Sequence, residues 1–290
     1  MARVRIAQVK TVGVVGAGTM GHGVAWVSAL AGYETRMFDE FPDALEAGRQ
    51  KILKGWERSI EKGRLTPESR DAALSRLKTT GSLDDLKDCD LIVEAVPEDI
   101  DLKRRVFSRL DALARSEAVL ATNTSSLSIT QIASAVRSPG RVVGVHFMNP
   151  VPVLELVELV RGLETGEEAA AAARRWAESL GKTVVEVRDA PGFISNRILM
   201  PMINEAVFAL SEGVASAEDI DRVMKLGMGH PIGPLALSDL VGLDVCLSVL
   251  EVLHREFGDP KYRPCPLLRR MVAAGWLGRK TGRGFYSYPG

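Results

Sequence analysis

The chain has only four histidines, and His146 stands where one could act as a base. It closes an apolar, β-branched run, Val143-Gly-Val-His146-Phe. Met-Asn149-Pro150-Val-Pro152 follows, and then Val153-Leu-Glu155-Leu-Val-Glu158. Imidazole titrates near neutrality, which is what a general base needs. A carboxylate returning beside it would fix its tautomer and stabilise the imidazolium. On these residues alone, Glu155 and Glu158 are equally available for that task. The plainer reading has His146 cap a strand and both glutamates face solvent. A second stretch with chemical content is Gly16-Ala-Gly18-Thr19-Met20-Gly21, with Asp39 downstream. A third is the run of hydroxyl and amide side chains from Thr122 to Ser126, a hydrogen-bonding shelf or an N-cap cluster for the helix after it.

These residues need elements to hold them. Lys10 to Val15 reads as a strand, and an apolar helical pattern runs from the glycines to Gly32. Glu34 to Phe38 reads as a second strand, ended by Asp39. Strand, GxGxxG, helix, strand and terminal acid in this order form the dinucleotide fingerprint. The first glycine allows the tight turn, the second lets backbone approach a pyrophosphate, and the third lets the helix pack on the sheet. The pyrophosphate would rest at the positive end of that helix. Asp39 would accept bonds from ribose hydroxyls and repel a 2′-phosphate, which favours NAD over NADP. Arg36 is three residues short of the strand tip and does not reverse that preference.

Pro42 to Arg64 reads as one helix with an apolar face of Leu45, Ile52, Leu53, Trp56 and Ile60. Lys51, Lys54, Arg58 and Lys62 fall on roughly the opposite face, either a solvated surface or a basic rail for a phosphorylated ligand. Thr66 and Pro67 open the next helix. Strands are expected at 89–97, 118–121, 142–146, 153–160 and 183–187. Glu98 and Lys103 follow the first of these, at a strand end where open α/β sheets bind ligands. Thr165-Gly-Glu-Glu168 reads as a capping box.

From Asp189-Ala-Pro191-Gly192 onward the pattern is helical only. Helices are expected over 193–210, 216–226 (stopped by Gly227), 235–257 as one or two, and 267–276. The expected architecture is α/β, with a Rossmann-like parallel-sheet domain over 1–188 and an all-α domain over 189–290. The apolar C-terminal helices suit a homodimer interface or a large private core.

Bulk composition narrows the function classes. Apolar residues make up 46% and charged residues 26%, with 37 basic against 37 acidic side chains. Nothing global therefore points to nucleic acid or an acidic membrane. The three cysteines, Cys89, Cys246 and Cys265, form no CxxC, so neither a disulfide framework nor a metal site is expected, and a reducing cytoplasm fits. Met1 to Arg5 leads into no long apolar segment and makes a poor export signal. Val12 to Gly32 has membrane-spanning length and no charge, but its repeated glycines belong to the dinucleotide pattern, and no membrane partner is expected.

The order GAGTMG at 16–21, Asp39, VEAVPED at 93–99, NTSS at 123–126, HFMNPVP at 146–152, ELVE at 155–158, PGFISNR at 191–197 and KTGRGFY at 280–286 resembles the L-3-hydroxyacyl-CoA dehydrogenases. The likeness is strongest to the stand-alone bacterial 3-hydroxybutyryl-CoA dehydrogenases and covers nearly the whole chain. It implies reversible, NAD-dependent oxidation of a 3-hydroxyacyl-CoA to a 3-ketoacyl-CoA. It implies His146 as the base and picks Glu158 as its carboxylate, with Ser125 and Asn196 on the substrate. It places Gly16, Gly18, Thr19, Met20, Gly21, Asp39, Glu98, Lys103, Ser125 and Asn149 on the dinucleotide. It sets coenzyme A against the basic helix, at Lys54, Arg58 and Lys62, although a serine of the family on that helix aligns with Gly55 here. It implies a dimer through the C-terminal helices. Rival readings are a dehydrogenase of a free 3-hydroxy acid, as in gulonate 3-dehydrogenase, a non-catalytic protein like lambda-crystallin, and an NAD-binding regulatory module.

Overall fold

The structure, a computed structural model, describes residues 8–289, so the stretch Met1 to Arg5 lies outside the described residues. The chain divides into two compact units, the first closing at Asp189 and the second opening at Ala190.

The first unit runs β1 (Thr11–Val15), α1 (Gly21–Leu30), β2 (Glu34–Phe38), α2 (Pro42–Glu61), α3 (Pro67–Arg76), β3 (Leu77–Thr80) and β4 (Leu91–Glu94). It continues with α4 (Ile100–Leu113), β5 (Val119–Thr122), α5 (Ile129–Ala133), β6 (Val142–Phe147), β7 (Leu156–Arg161), α6 (Glu167–Ser179) and β8 (Thr183–Arg188). One eight-stranded sheet results, in the order β3-β2-β1-β4-β5-β6-β7-β8. From β3 to β6 the strands run parallel. β7 is antiparallel to β6, and β8 follows β7, so the last two strands run against the rest. The inner strands are buried on both faces, which is why they read as unbroken apolar runs.

β1 lies between β2 and β4, so the connections leaving β1 and β4 turn to opposite sides. That opens a crevice at their carboxyl ends, the usual ligand site of such sheets. Val12, Val14, Val93, Ala121 and Val145 fill the sheet's contribution to the core, and Trp56 and Trp176 pack on it from α2 and α6. Val12 to Gly32, which has the length of a membrane span, is divided among β1, the glycine loop and α1. Among the described residues no helix is long and apolar enough to cross a membrane.

The second unit is helical: α7 (Ser195–Ser211), α8 (Ala217–Met228), α9 (Pro234–Val241), α10 (Leu243–Phe257) and α11 (Pro266–Ala273). Ile203, Val207, Leu235, Leu243, Leu250 and Leu268 form its core. Its tail is held by two buried acids. Asp239 accepts bonds from Phe285 N, Tyr286 N and the Tyr288 hydroxyl, each at 3.0 Å, and Asp221 accepts from the Tyr286 hydroxyl at 2.8 Å. The KTGRGFY motif is therefore a docking tail for this unit. Gly284 belongs to it because a Cβ there would lie 1.9 Å from Asp239 Oδ1.

Several boundaries differ from the sequence expectation. β7 starts at Leu156 and not at Val153, because 148–155 is consumed by a loop. Thr165 does not cap α6; its hydroxyl donates to Val142 O at 2.7 Å and accepts from Gly162 N at 2.9 Å, and Gly166 stands at the cap. α8 passes through Gly227 and stops at Gly229, the residue with the left-handed φ of 71°. The 235–257 helix is two helices, separated at Gly242 with φ 107°. β3 had no signal in the sequence: LKTT is neither apolar nor cleanly alternating, and its pairing to β2 makes it a strand.

Candidate active site

The glycine loop is shaped by close contacts. Gly16 has φ 98°, and a Cβ there would lie 2.8 Å from Ala95 O. A Cβ on Gly21 would lie 1.7 Å from Gly16 O, so only glycine lets α1 start there. At Gly18 the opposite holds: nothing lies within 4 Å of a Cβ position, and Gly18 and Thr19 are both exposed. No side chain caps α1 and no acid occupies its first turn, which leaves its positive end for an anion.

Asp39 stands at the tip of β2 beside this loop. Its Oδ2 accepts from Ala17 N at 2.7 Å and its Oδ1 from Phe41 N at 3.0 Å. Each carboxylate oxygen retains a second lone pair for a ribose hydroxyl. The Arg36 guanidinium donates to Asp85 O, so it is engaged away from the tip. An open glycine cradle, an uncapped helix end and an anchored acid fit a dinucleotide.

The crevice floor is a buried charge cluster at the ends of β4 and β5. Glu94, fully buried, accepts from Lys103 Nζ, Val96 N and the Thr122 hydroxyl, each at 2.7 Å. Burial pushes its carboxyl above the ordinary value, against the pull of Lys103. Lys103 is 1% exposed; its ammonium also donates to Val96 O at 3.1 Å and lies 3.4 Å from Glu98 Oε2. Glu98 Oε1 gathers the next loop, accepting from the Thr124 hydroxyl at 2.6 Å, Ser125 N at 2.8 Å, the Ser125 hydroxyl at 3.1 Å and Ser126 N at 3.1 Å. Burial opposes ionisation of Glu98 most strongly, but Lys103 and these donors together outweigh it and hold its pKa below the ordinary value. Ser128, not Ser125, caps α5, accepting from Gln131 N.

His146 and Glu158 face each other across the β6–β7 ladder. His146 Nδ1 lies 2.8 Å from Glu158 Oε2, and the two residues are 7% and 2% exposed. Glu155 is exposed in the loop, so the carboxylate beside His146 is Glu158. An Nδ1 proton donated to that carboxylate makes Nε2 the basic nitrogen. Asn149, exposed, lies just beyond β6, followed by a cis peptide bond to Pro150.

Comparison with known proteins matches this arrangement to a family along nearly its whole length. The model of the 3-hydroxyacyl-CoA dehydrogenase NAD binding domain matches residues 11–190, and that of the 3-hydroxyacyl-CoA dehydrogenase C-terminal domain matches residues 192–288. The chain belongs to the 3-hydroxyacyl-CoA dehydrogenase family. It is 52% identical over 281 residues to a probable 3-hydroxybutyryl-CoA dehydrogenase of Bacillus subtilis, covering 97% of this chain and 98% of that one. It is 51% identical over 284 residues to a 3-hydroxybutyryl-CoA dehydrogenase of Bradyrhizobium diazoefficiens, covering 98% and 97%. The crystal structure of (S)-3-hydroxybutyryl-CoA dehydrogenase from Ralstonia eutropha superposes with a TM-score of 0.94 at 49% identity, covering 98% of this chain and 100% of that one. The chain is thus an NAD-dependent oxidoreductase acting on a CH–OH group.

The remaining residues that the resemblance singles out fall as follows. Lys54, Arg58 and Lys62 are exposed, the first two on α2 and Lys62 as its C-cap. Gly55 sits between them with its Cα against an indole: a Cβ there would lie 1.8 Å from Trp26 Cζ3. The volume of any larger side chain at 55 is already taken by Trp26. Asn196 lies in the first turn of α7, in the second unit, after the positive-φ pair Gly192 (73°) and Phe193 (52°). Gly192 is needed there because a Cβ would lie 2.8 Å from Leu253 Cδ2.

Glu94 is a structuring residue that escaped the sequence reading, whereas Thr122 and Asn123 belong to the hydrogen-bonding shelf expected there. Asn123 Oδ1 accepts from Phe147 N at 3.0 Å and so ties the β5 loop to β6 one residue past His146. The available signal for Glu94 was a lone acid inside the apolar run LIVEAV, which requires a buried donor nearby.

Proposed function

We propose that the chain oxidises (S)-3-hydroxybutyryl-CoA to the 3-ketoacyl thioester and runs the reverse reduction. The observation that carries the reading is the buried His146–Glu158 pair at 2.8 Å, on adjacent strands at the carboxyl end of β6. In the oxidative direction His146 Nε2 takes the proton of the 3-hydroxyl. Glu158 accepts the Nδ1 hydrogen bond and favours the imidazolium that results. Ser125, held on Glu98, and Asn196 hold substrate oxygens. NAD, when bound, accepts the hydride that leaves the same carbon. Gly16, Gly18, Thr19, Met20 and Gly21 cradle its pyrophosphate and Asp39 its ribose, while Glu98, Lys103 and Asn149 serve its nicotinamide half. Lys54, Arg58 and Lys62 meet the phosphates of coenzyme A. Relatives named as 3-hydroxybutyryl-CoA dehydrogenases at about half identity support the short acyl chain.

The proposal includes a homodimer through the C-terminal helices, supported by exposed apolar side chains there: Ile198 at 67%, Val223 at 61% and Leu226 at 80%. It includes a cytoplasmic setting, with which three buried free cysteines agree.

The test is NADH-coupled turnover of acetoacetyl-CoA, a longer 3-ketoacyl-CoA and free acetoacetate, side by side. Acetoacetyl-CoA is expected to have the highest kcat/KM. Equal use of free acetoacetate would assign the chain to the free hydroxy acids, and absence of turnover would leave a non-catalytic protein.

A further inference from the structure

Lys182 is a buried cation of the first unit that the site described so far does not use. It stands in the turn between α6 and β8, after Gly181 with φ 76°, and is 8% exposed. Its ammonium donates to Val151 O at 2.6 Å and to Leu154 O at 2.8 Å. Lysine is among the residues least often buried, and a buried ammonium usually has a carboxylate partner. Here the acceptors are two carbonyls, and the nearby acid, Glu155, is exposed. Two carbonyl dipoles aimed at one point repel each other, and a cation between them turns that repulsion into a clamp.

The clamped segment is 148–155, the loop joining β6 to β7. Within it, Val153 N and Leu154 N both donate to Pro150 O. From outside, Thr183 N donates to Glu155 O at 2.8 Å, where β8 begins its pairing. On another side Val151, 1% exposed, packs on α1: a Cβ on Gly23 would lie 2.8 Å from Val151 Cβ. Gly23 is two residues past Gly21, in the first turn of the helix that faces the pyrophosphate. The loop is thus gripped by the dinucleotide helix through a side chain and by Lys182 through its backbone. The dyad itself is held by the β6–β7 ladder. What Lys182 adds is the position of the segment that begins at Asn149.

We propose that Lys182 is a positioning residue that sets the Asn149–Leu154 loop against the nicotinamide half of the dinucleotide. The inference rests on the proposed role of Asn149 at that half.

The experiment compares two ligands on the full-length chain, NADH and ADP-ribose, which lacks the nicotinamide. Titration of Lys182→Met is expected to weaken NADH binding about fivefold, the equivalent of one net hydrogen bond, and to leave ADP-ribose within about twofold. The same variant loses kcat while KM for the thioester stays near that of the wild type. Equal weakening of both ligands would mean a general loosening of the nucleotide domain and would overturn the proposal, as would unchanged affinity for both. Where Lys182→Met does not fold, Lys182→Gln, which lacks the charge that clamps the two carbonyls, is titrated instead and read by the same ratio. Asn149→Ala separates the two layers. If it binds NADH and ADP-ribose as the wild type does, the role of Asn149 fails; if it weakens NADH alone while Lys182→Met does not, only the role of Lys182 fails.

Discussion

With Nδ1 bound to Glu158, the proposed proton transfer to His146 goes to Nε2, and on that proposal its loss removes the base and nothing of the dinucleotide cradle. His146→Ala should lower kcat by about a thousandfold, within the range of general-base deletions, while calorimetric titration still shows NADH binding. Glu158→Gln should also lower kcat, with the KM of the thioester little changed, because the carboxylate acts through the imidazole. Near-normal turnover in either variant removes the dyad from the mechanism. Glu98 gives a pH test. Its carboxyl titrates below the ordinary value of 4.5 in the folded chain, despite burial, because of Lys103 and the donors of the 124–126 loop. Its contribution to stability is therefore complete above 4.5 and is lost as pH falls through the lower folded value. Thermal melts of the wild type and Glu98→Gln should differ above that pH and converge in stronger acid; parallel profiles would count against the clamp. At this scale the sequence displayed His146 and two glutamates but could not choose between them. The choice depends on where β7 starts, and that depends on how many residues the preceding loop consumes. Lys103 shows the same limit: the family likeness named it, but only the fold brings Glu94 and Glu98 to it from both sides.

Among the elements, α2 was the most legible, since its apolar positions recur at helical spacing and the helix runs Pro42–Glu61 much as they require. Its two glycines were not. Gly48 lets the helix approach Ala17 O, which a Cβ would meet at 2.5 Å, and Gly55 lets it lie on the Trp26 ring. Both contacts are long-range and leave no local trace. Gly55→Ser should therefore destabilise by about 1–3 kcal/mol, as overpacking does, visible as a lower urea midpoint. An unchanged midpoint would mean that Trp26 can rotate away. Strand β3 was illegible for the complementary reason: a polar edge strand is made by its neighbour's unpaired backbone, not by its own pattern.

At the level of the whole molecule, alternation of strands and helices followed by helices alone was enough to foresee an α/β unit and an α unit. The reversal of β7 and β8 was not foreseen, because the strand pattern carries no direction. The exposed apolar side chains of α8 belong to this scale too. On the proposed dimer, Leu226→Glu should shift the mass measured by light scattering to that of a monomer; a wild type that is itself monomeric removes the dimer, and a variant that stays dimeric moves the interface elsewhere. The β6–β7 reversal has one more consequence. His146 and Glu158 meet because they are directly opposite in an antiparallel ladder, and in such a ladder a slip of one residue sends every side chain to the other face of the sheet. The distance between base and acid is thus not a quantity that small drifts of the backbone can tune. Insertions and deletions between the two strands are tolerated only if the 148–155 loop absorbs them whole.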